Sequence, residues 1–233
     1  MMIRRPIPEP LRRLTVRPRP DDLLDAVRCA TEHELRALCR IYLLEGVPVV
    51  FDACPIEYEN VRVSVAVGLG VEAGAVGLVG SARVGYSLNP TRFSRTFSPA
   101  SGLDFAVVDA IVFTECIRDA AQWRDDVESG RRPPRNDIER RYWNATLATL
   151  DDIATRGHID PKVILEHEDY RRVSEVRNTM RRAWRELTYL DHQYKLSVRV
   201  YRDWDCFYRH QIDRLVQLRD RDPGMPTDPA AAV

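Results

Sequence analysis

The residues best suited to chemistry lie between Val76 and Asp109. This stretch reads as a short apolar strand, a Gly80-Ser81 turn, a polar loop and a second apolar strand that carries Asp104 near its start. A glycine lets the backbone approach a phosphate, a hydroxyl and N–H groups bind it, and a carboxylate on a neighbouring strand holds a divalent metal ion. The order of these residues therefore predicts a site that handles phosphate.

Two predicted strands position these residues. Residues 76–79 are short, apolar and rich in valine, and residues 103–108 repeat that character. Between them, Asn-Pro and Ser-Pro pairs mark turns, so residues 86–102 are predicted to form a long polar loop. Loops of that length without secondary structure are usually functional or disordered.

The pattern resembles the nucleotidyltransferase fold of the DNA polymerase beta superfamily. That family has an apolar residue followed by Gly-Gly or Gly-Ser, and later an acidic-x-acidic triplet framed by apolar residues. The matching motifs here are V-G-S at residues 79–81 and G-L-D-F at residues 102–105. The phrases GSARVGYSLNPTRF and VYRDW are also similar to a mostly uncharacterised group of bacterial proteins of this superfamily. The likeness covers about residues 47–110, with a weaker echo near 196–206.

The resemblance implies site residues as well as a fold. Gly80 and Ser81 match the turn that grips a nucleoside triphosphate, and Arg83 is a further candidate phosphate ligand. Asp104 matches a catalytic carboxylate that binds Mg²⁺ and aligns the attacking hydroxyl. Gly102 stands where another metal-binding acid is expected. A two-metal mechanism needs clustered carboxylates, so the resemblance leaves catalytic competence open.

The family's third acidic residue falls on a later strand, for which the alternating segment 196–201 is the candidate. Its central position is Arg199 rather than an acid. Four other carboxylates are candidate substitutes for the missing metal ligands: Asp109, Glu115, Asp203 and Asp205. None has a decisive spacing, and their ordinary role is helix capping or surface charge.

Two functions are compatible with these residues. The first is an Mg²⁺-dependent nucleotidyltransferase that transfers a nucleotidyl group to a hydroxyl. The second is a catalytically inactive module of the same fold that binds a nucleotide, RNA or DNA, or a protein partner. Bacterial relatives of this superfamily occur in antiphage-defence and toxin-antitoxin systems, so the resemblance allows either function in such a setting. A purely structural role for Gly80, Ser81 and Asp104 is the third interpretation.

The overall charge of the chain is balanced, so it does not indicate a charged partner. The 233 residues contain 35 Lys and Arg against 35 Asp and Glu, so no whole-chain field attracts nucleic acid or a membrane surface. The five cysteines include no C-x-x-C pair, and no apolar run reaches the roughly 18 residues of a membrane span. We therefore expect a cytoplasmic protein without a membrane partner.

The predicted fold class is α+β, with a small mixed β-sheet of nucleotidyltransferase type embedded in a mostly helical body. Four segments are expected in order along the chain. They are a flexible, basic, proline-rich arm (1–20), helices with the sheet core (21–110), a helical region with one returning strand (111–220) and a disordered tail (221–233). Helices are predicted over 21–45, 55–67, 110–128, 137–155, 168–190 and 204–218.

Residues 168–190 form the most regular amphipathic segment. One side is predicted to be core: Val173, Val176, Met180, Trp184 and Leu187. The opposite side, which we call the basic face, carries four arginines: Arg171, Arg181, Arg182 and Arg185. This face is either solvated surface, partly paired with Glu175 and Glu186, or a phosphate track for RNA or DNA.

Three potential metal ligands, His158, Asp160 and His167, also lie close together in the sequence. Their spacing is not that of a metal-binding helix motif. We expect these histidines to be ordinary surface residues.

Overall fold

The computed structural model describes residues 6–98, 100–164, 166–187 and 194–221. The protein is α+β, with a small four-stranded mixed sheet and a mostly helical body. The predicted fold class is confirmed at this level. Apart from Arg221, the predicted tail lies outside the described residues.

The strands form one sheet in the order β1-β2-β4-β3. They are β1 (Val76–Val79), β2 (Gly102–Val108), β3 (His158–Ile159) and β4 (Lys195–Tyr201). Strand β3 pairs antiparallel with β4, with His158 opposite Tyr201 and Ile159 opposite Val200. The sequence predicted β1, β2 and β4 but not β3.

The described residues form helices along most of the chain. The α-helices are α1 (Glu9–Arg12), α2 (Pro20–Cys29), α3 (Glu32–Leu38), α4 (Pro55–Leu69), α5 (Ser81–Val84), α6 (Ala110–Glu128), α7 (Asp137–Leu147), α8 (Leu150–Arg156), α9 (Arg171–Glu186) and α10 (Trp204–Arg219). A π-helical turn, Cys39–Leu44, follows α3. Among the described residues, no helix is both long enough and apolar enough to cross a membrane.

Two predicted helices are each divided in the structure. Residues 21–45 form α2, α3 and the π-helical turn, because Thr31 and Glu34 make reciprocal capping hydrogen bonds that start a new helix. Residues 137–155 form α7 and α8, with a break at Ala148 and Thr149. The prediction of one continuous helix was wrong in both places.

The proline-rich N-terminal segment, which was expected to be a flexible arm, contains the helical turn α1. Pro8 precedes α1 and Pro10 lies in its first turn, where a missing N–H is harmless. Leu11 and Leu14 pack against buried residues, and the hydroxyl of Tyr86 donates a hydrogen bond of 3.2 Å to the carbonyl of Pro18. The described part of this segment is therefore anchored by packing and hydrogen bonding.

The chain folds into two compact units. The first unit comprises the described residues of 1–53, 78–103 and 208–233. Its core is formed by α2, α3, the π-helical turn, the loop after α5 and the end of α10. The buried residues of this core are Leu23, Ala26, Val27, Leu35, Leu38, Cys39, Leu43, Tyr86, Leu88, Phe93, Leu215 and Leu218.

The second unit comprises the described residues of 54–77 and 104–207. Here α9 packs against both α4 and α6. The approach of α4 to α9 requires Gly68, because a Cβ at that position would lie 2.5 Å from Cγ2 of Thr179. Trp123 of α6 is fully buried and meets Trp143 of α7 edge-on, with 5.7 Å between ring centroids.

Acidic side chains of α6 hold the start of α9. The carboxylate of Asp119 accepts a hydrogen bond of 2.9 Å from the backbone N–H of Val173, and Glu115 forms an ion pair of 3.0 Å with Arg172. Tyr170, the residue at the N-cap position of α9, supplies no side-chain cap itself. Burial raises the pKa of Asp119 above its ordinary value.

Candidate functional site

One face of the sheet in the second unit carries polar side chains from three strands. The hydroxyl of Ser197 in β4 donates a hydrogen bond to the carboxylate of Asp104 in β2. Arg199 lies two residues further along β4, so strand alternation places its side chain on the same face as that of Ser197. His158 of β3 pairs with Tyr201 of β4, two residues beyond Arg199, so its side chain lies on this face too. We call Asp104, His158, Ser197 and Arg199 the polar sheet face.

The opposite face of these strands is apolar and buried. Its members are Phe105, Val107, Ile159, Val198 and Val200, none more than 7 % exposed. A shift of one residue in strand pairing would exchange the two faces and expose this apolar set. Burial of the apolar face therefore fixes the side on which the polar residues lie.

The polar sheet face combines one carboxylate with one guanidinium. Burial, together with the nearby positive charge of Arg199, lowers the pKa of His158 below its ordinary value. His158 is therefore neutral at pH 7, and its ring lies 5.6 Å from that of Tyr201. The expectation of a surface histidine at position 158 was wrong, because this side chain is half-buried in the sheet.

The other acids considered as substitutes in a metal site have structural partners. Asp109 caps α6 by accepting hydrogen bonds from the N–H groups of Ile111 and Val112 at 2.9 and 2.8 Å. Asp203 caps α10 by accepting from the N–H of Cys206 at 2.7 Å. Their expected capping roles are confirmed.

The described residues include one cluster of three potential metal ligands, His167, Glu168 and Asp169. The guanidinium of Arg132 lies 2.7 Å from Nδ1 of His167 and also contacts the carboxylate of Asp169, so a positive charge already lies there. Asp104 is not part of that cluster. The residues present therefore do not fit a two-metal centre at Asp104, which needs several convergent carboxylates.

The predicted phosphate turn lies in the first unit. Gly80 has φ of 73° and ψ of −152°, a backbone conformation that is essentially restricted to glycine. Ser81 begins the single-turn helix α5 and is half-buried. Gly80 thus has a backbone conformation specific to glycine, and Ser81 starts a helix rather than completing a turn.

Arg83 is only 2 % exposed. Its Nη1 donates a hydrogen bond of 2.7 Å to the carbonyl of Gly46, and its Nε donates one of 3.3 Å to the carbonyl of Tyr42. These bonds tie α5 to the π-helical turn and the residues that follow it. In this arrangement the guanidinium donates hydrogen bonds to backbone carbonyls, and we expect its role to be structural.

The basic face of α9 is partly neutralised. Arg181 binds both carboxylate oxygens of Glu166, at 2.5 and 2.6 Å, and this pairing lowers the pKa of Glu166. The other three arginines are exposed: Arg171, Arg182 and Arg185. The opposite side is core as predicted, with Val173, Val176, Met180 and Leu187 buried and Trp184 half-buried.

Two members of the polar sheet face were not identified from the sequence as site residues, Ser197 and His158. Ser197 had a usable signal, because the alternation of residues 196–201 places it on the side of Arg199. His158 had none, because the two-residue strand β3 is too short to show a period.

No family model, curated protein or solved structure matches the chain.

Proposed function

We propose that the protein is a nucleotidyltransferase-like module that binds a nucleoside triphosphate without transferring its nucleotidyl group. The observation that carries the proposal is that Arg199 shares the polar sheet face with Asp104, at a position where the resemblance implies an acid. Ser197 already donates to the carboxylate of Asp104. This set has one carboxylate, too few for two-metal catalysis, and one cation suited to an anionic ligand.

The charges of the polar sheet face suit a nucleotide bound without metal. A guanidinium binds phosphate oxygens through paired N–H donors and supplies a positive charge that Mg²⁺ would otherwise provide. A carboxylate repels phosphate but accepts hydrogen bonds from ribose hydroxyls. We therefore assign Arg199 to the phosphates and Asp104 to the sugar.

Calorimetry on the full chain tests this assignment. ATP, GTP, CTP and UTP are titrated once with EDTA and once with Mg²⁺, and we expect at least one to bind in EDTA. Arg199→Gln should weaken that binding by about tenfold or more. Arg171→Gln removes an exposed arginine of α9 and should leave it unchanged. Absence of binding by all four nucleotides, or wild-type affinity in Arg199→Gln, would refute the proposal.

The catalytic alternative has a separate readout. The assay measures incorporation of labelled nucleotide into an acceptor. Incorporation that requires Mg²⁺ and is abolished by Asp104→Ala would establish a nucleotidyltransferase and replace the proposal. If the module is instead a disabled enzyme, Gly102→Asp combined with Arg199→Asp should make nucleotide binding dependent on Mg²⁺, because two further carboxylates then join Asp104.

A further inference from the structure

Helix α4 is apolar on two opposite sides. The side chains on its inner side are buried in the second unit; they are Tyr58, Val61, Val65 and Leu69. Ile56, Val63 and Val67 lie on the outer side, where they are 65, 44 and 77 % exposed. At 100° per residue, these three side chains fall within about 40° of one another.

This outer side is unusual for a surface helix. Single exposed apolar residues are common on monomeric proteins, but a surface helix normally carries polar residues on its solvent side. The apolar line from Ile56 to Val67 covers three turns, or about 16 Å. Its only interruption is Asn60, which is uncharged. A line of this kind is typical of a helix that meets a partner.

The charges beside the line change sign along the helix. Glu57 and Glu59 flank its N-terminal half. Beside its C-terminal half lies Arg182 of α9, since a Cβ at Gly68 would be 2.6 Å from Nη2 of that arginine. The flank of α4 is therefore acidic at one end and basic at the other.

We propose that two copies of the protein associate through this outer side of α4, with the two helices antiparallel across a twofold axis. In that arrangement Ile56 meets the partner subunit's Val67, and Glu57 lies beside the partner subunit's Arg182. A parallel pairing would instead bring the acidic ends together. The surface is thus complementary to itself, as a twofold interface requires, and a second copy is its occupant.

The molecular mass in solution tests the association. Light scattering after gel filtration, over about 1 to 100 µM, should give a mass approaching twice the 26.8 kDa of one chain. Val67→Arg should reduce it to one chain, whereas Ile138→Arg, at a similarly exposed position of α7 (72 %), should not. A single-chain mass for the wild type, or an unchanged dimer in Val67→Arg, overturns the proposal.

Disulfide cross-linking tests the direction of the helices. In one chain, positions 56 and 67 are too far apart to bridge. Under oxidation, Ile56→Cys/Val67→Cys should therefore form covalent dimers above the wild-type background, while Val67→Cys alone should not. Efficient cross-linking of Val67→Cys alone would show a parallel pairing, and absence of cross-linking in the double variant would rule out the antiparallel one. Either result overturns the arrangement.

Discussion

The hydroxyl of Tyr170 donates a hydrogen bond of 2.9 Å to Oδ2 of Asp126. Both side chains are buried, and Nε of Arg131 donates to the other carboxylate oxygen at 2.7 Å. Burial raises the pKa of Tyr170 to about 12, so the hydroxyl remains a donor at neutral pH. The bond links the end of α6 to the residue before α9.

Tyr170→Phe should destabilise the protein by about 1 to 2 kcal/mol, because a buried carboxylate oxygen loses its donor while the ring still fills its site. The free energy of unfolding in urea measures the loss. Tyr142→Phe removes the hydroxyl of a half-exposed tyrosine on α7 and should change stability little. Equal stabilities of the two variants would contradict the assigned role.

Arg83→Met should lower the free energy of unfolding by about 2 to 4 kcal/mol, because it leaves the carbonyls of Gly46 and Tyr42 without their donor. Arg92→Met, at an exposed position, is the matched control and should be nearly neutral. If Arg83 were instead a phosphate ligand, the variant would lose nucleotide affinity and keep its stability.

Alanine substitutions at Gly157 and Gly130 distinguish the cost of a steric clash from the cost of backbone strain. Both have positive φ, 72° and 74°, but a Cβ at Gly157 would lie 2.3 Å from Sγ of Cys206, whereas a Cβ at Gly130 would meet nothing within 4 Å. We expect Gly130→Ala to cost about 1 kcal/mol and Gly157→Ala about 2 to 4 kcal/mol in chemical denaturation. Cys206→Ala should restore part of the larger loss, and similar losses for both alanines would disprove the clash.

The lowered pKa of His158 predicts a dependence of stability on pH. The unfolded chain takes up this proton at higher pH than the folded chain does, so stability present above about pH 6.5 is lost as the pH falls through the lowered pKa. His158→Gln should show a smaller difference in unfolding free energy between about pH 7 and pH 5. His33→Gln, at an exposed position of α3, should keep the wild-type difference. Identical pH profiles for the wild type and His158→Gln would be inconsistent with this account.

Two arginines of the basic face of α9, Arg171 and Arg185, are predicted to be solvated surface. Glu166 already neutralises Arg181, so the basic face lacks one of the four charges that a phosphate track would use. Arg171→Glu/Arg185→Glu should therefore not change the affinity for single-stranded RNA or duplex DNA, measured by fluorescence anisotropy at low salt. A phosphate track would behave differently, since loss of two contacts reduces both the affinity and its salt dependence. A drop of about tenfold would establish that track.

The elements that the sequence predicted well are those with a strong local signal. Strand β1 is an uninterrupted apolar run, strand β2 is apolar apart from Asp104, and α6 has a clear period and a cap at Asp109. The break between α2 and α3 carried the signature of a capping box at Thr31 and Glu34, but the apolar period continues across it. Strand β3 could not be predicted, because two residues acquire strand geometry only by pairing with β4.

The candidate site was predictable only in part, for the same reason. Asp104 and Arg199 stand out within their own strands. Their shared face depends on the bond between Ser197 and Asp104, 93 residues apart, which no local pattern reveals. The burial of Arg83 likewise depends on carbonyl groups about forty residues earlier in the chain.

The cap that Asp119 supplies to α9 links the formation of one helix to the presence of another. Helix α9 has no capping side chain at its own N-terminus. The backbone N–H of Val173 instead donates its hydrogen bond to Asp119, which lies 54 residues earlier in the chain. A peptide of residues 171–186 should therefore be weakly helical in water. In the whole chain, α9 should acquire its structure as it docks on α6, which is synthesised first and can already be formed when α9 emerges.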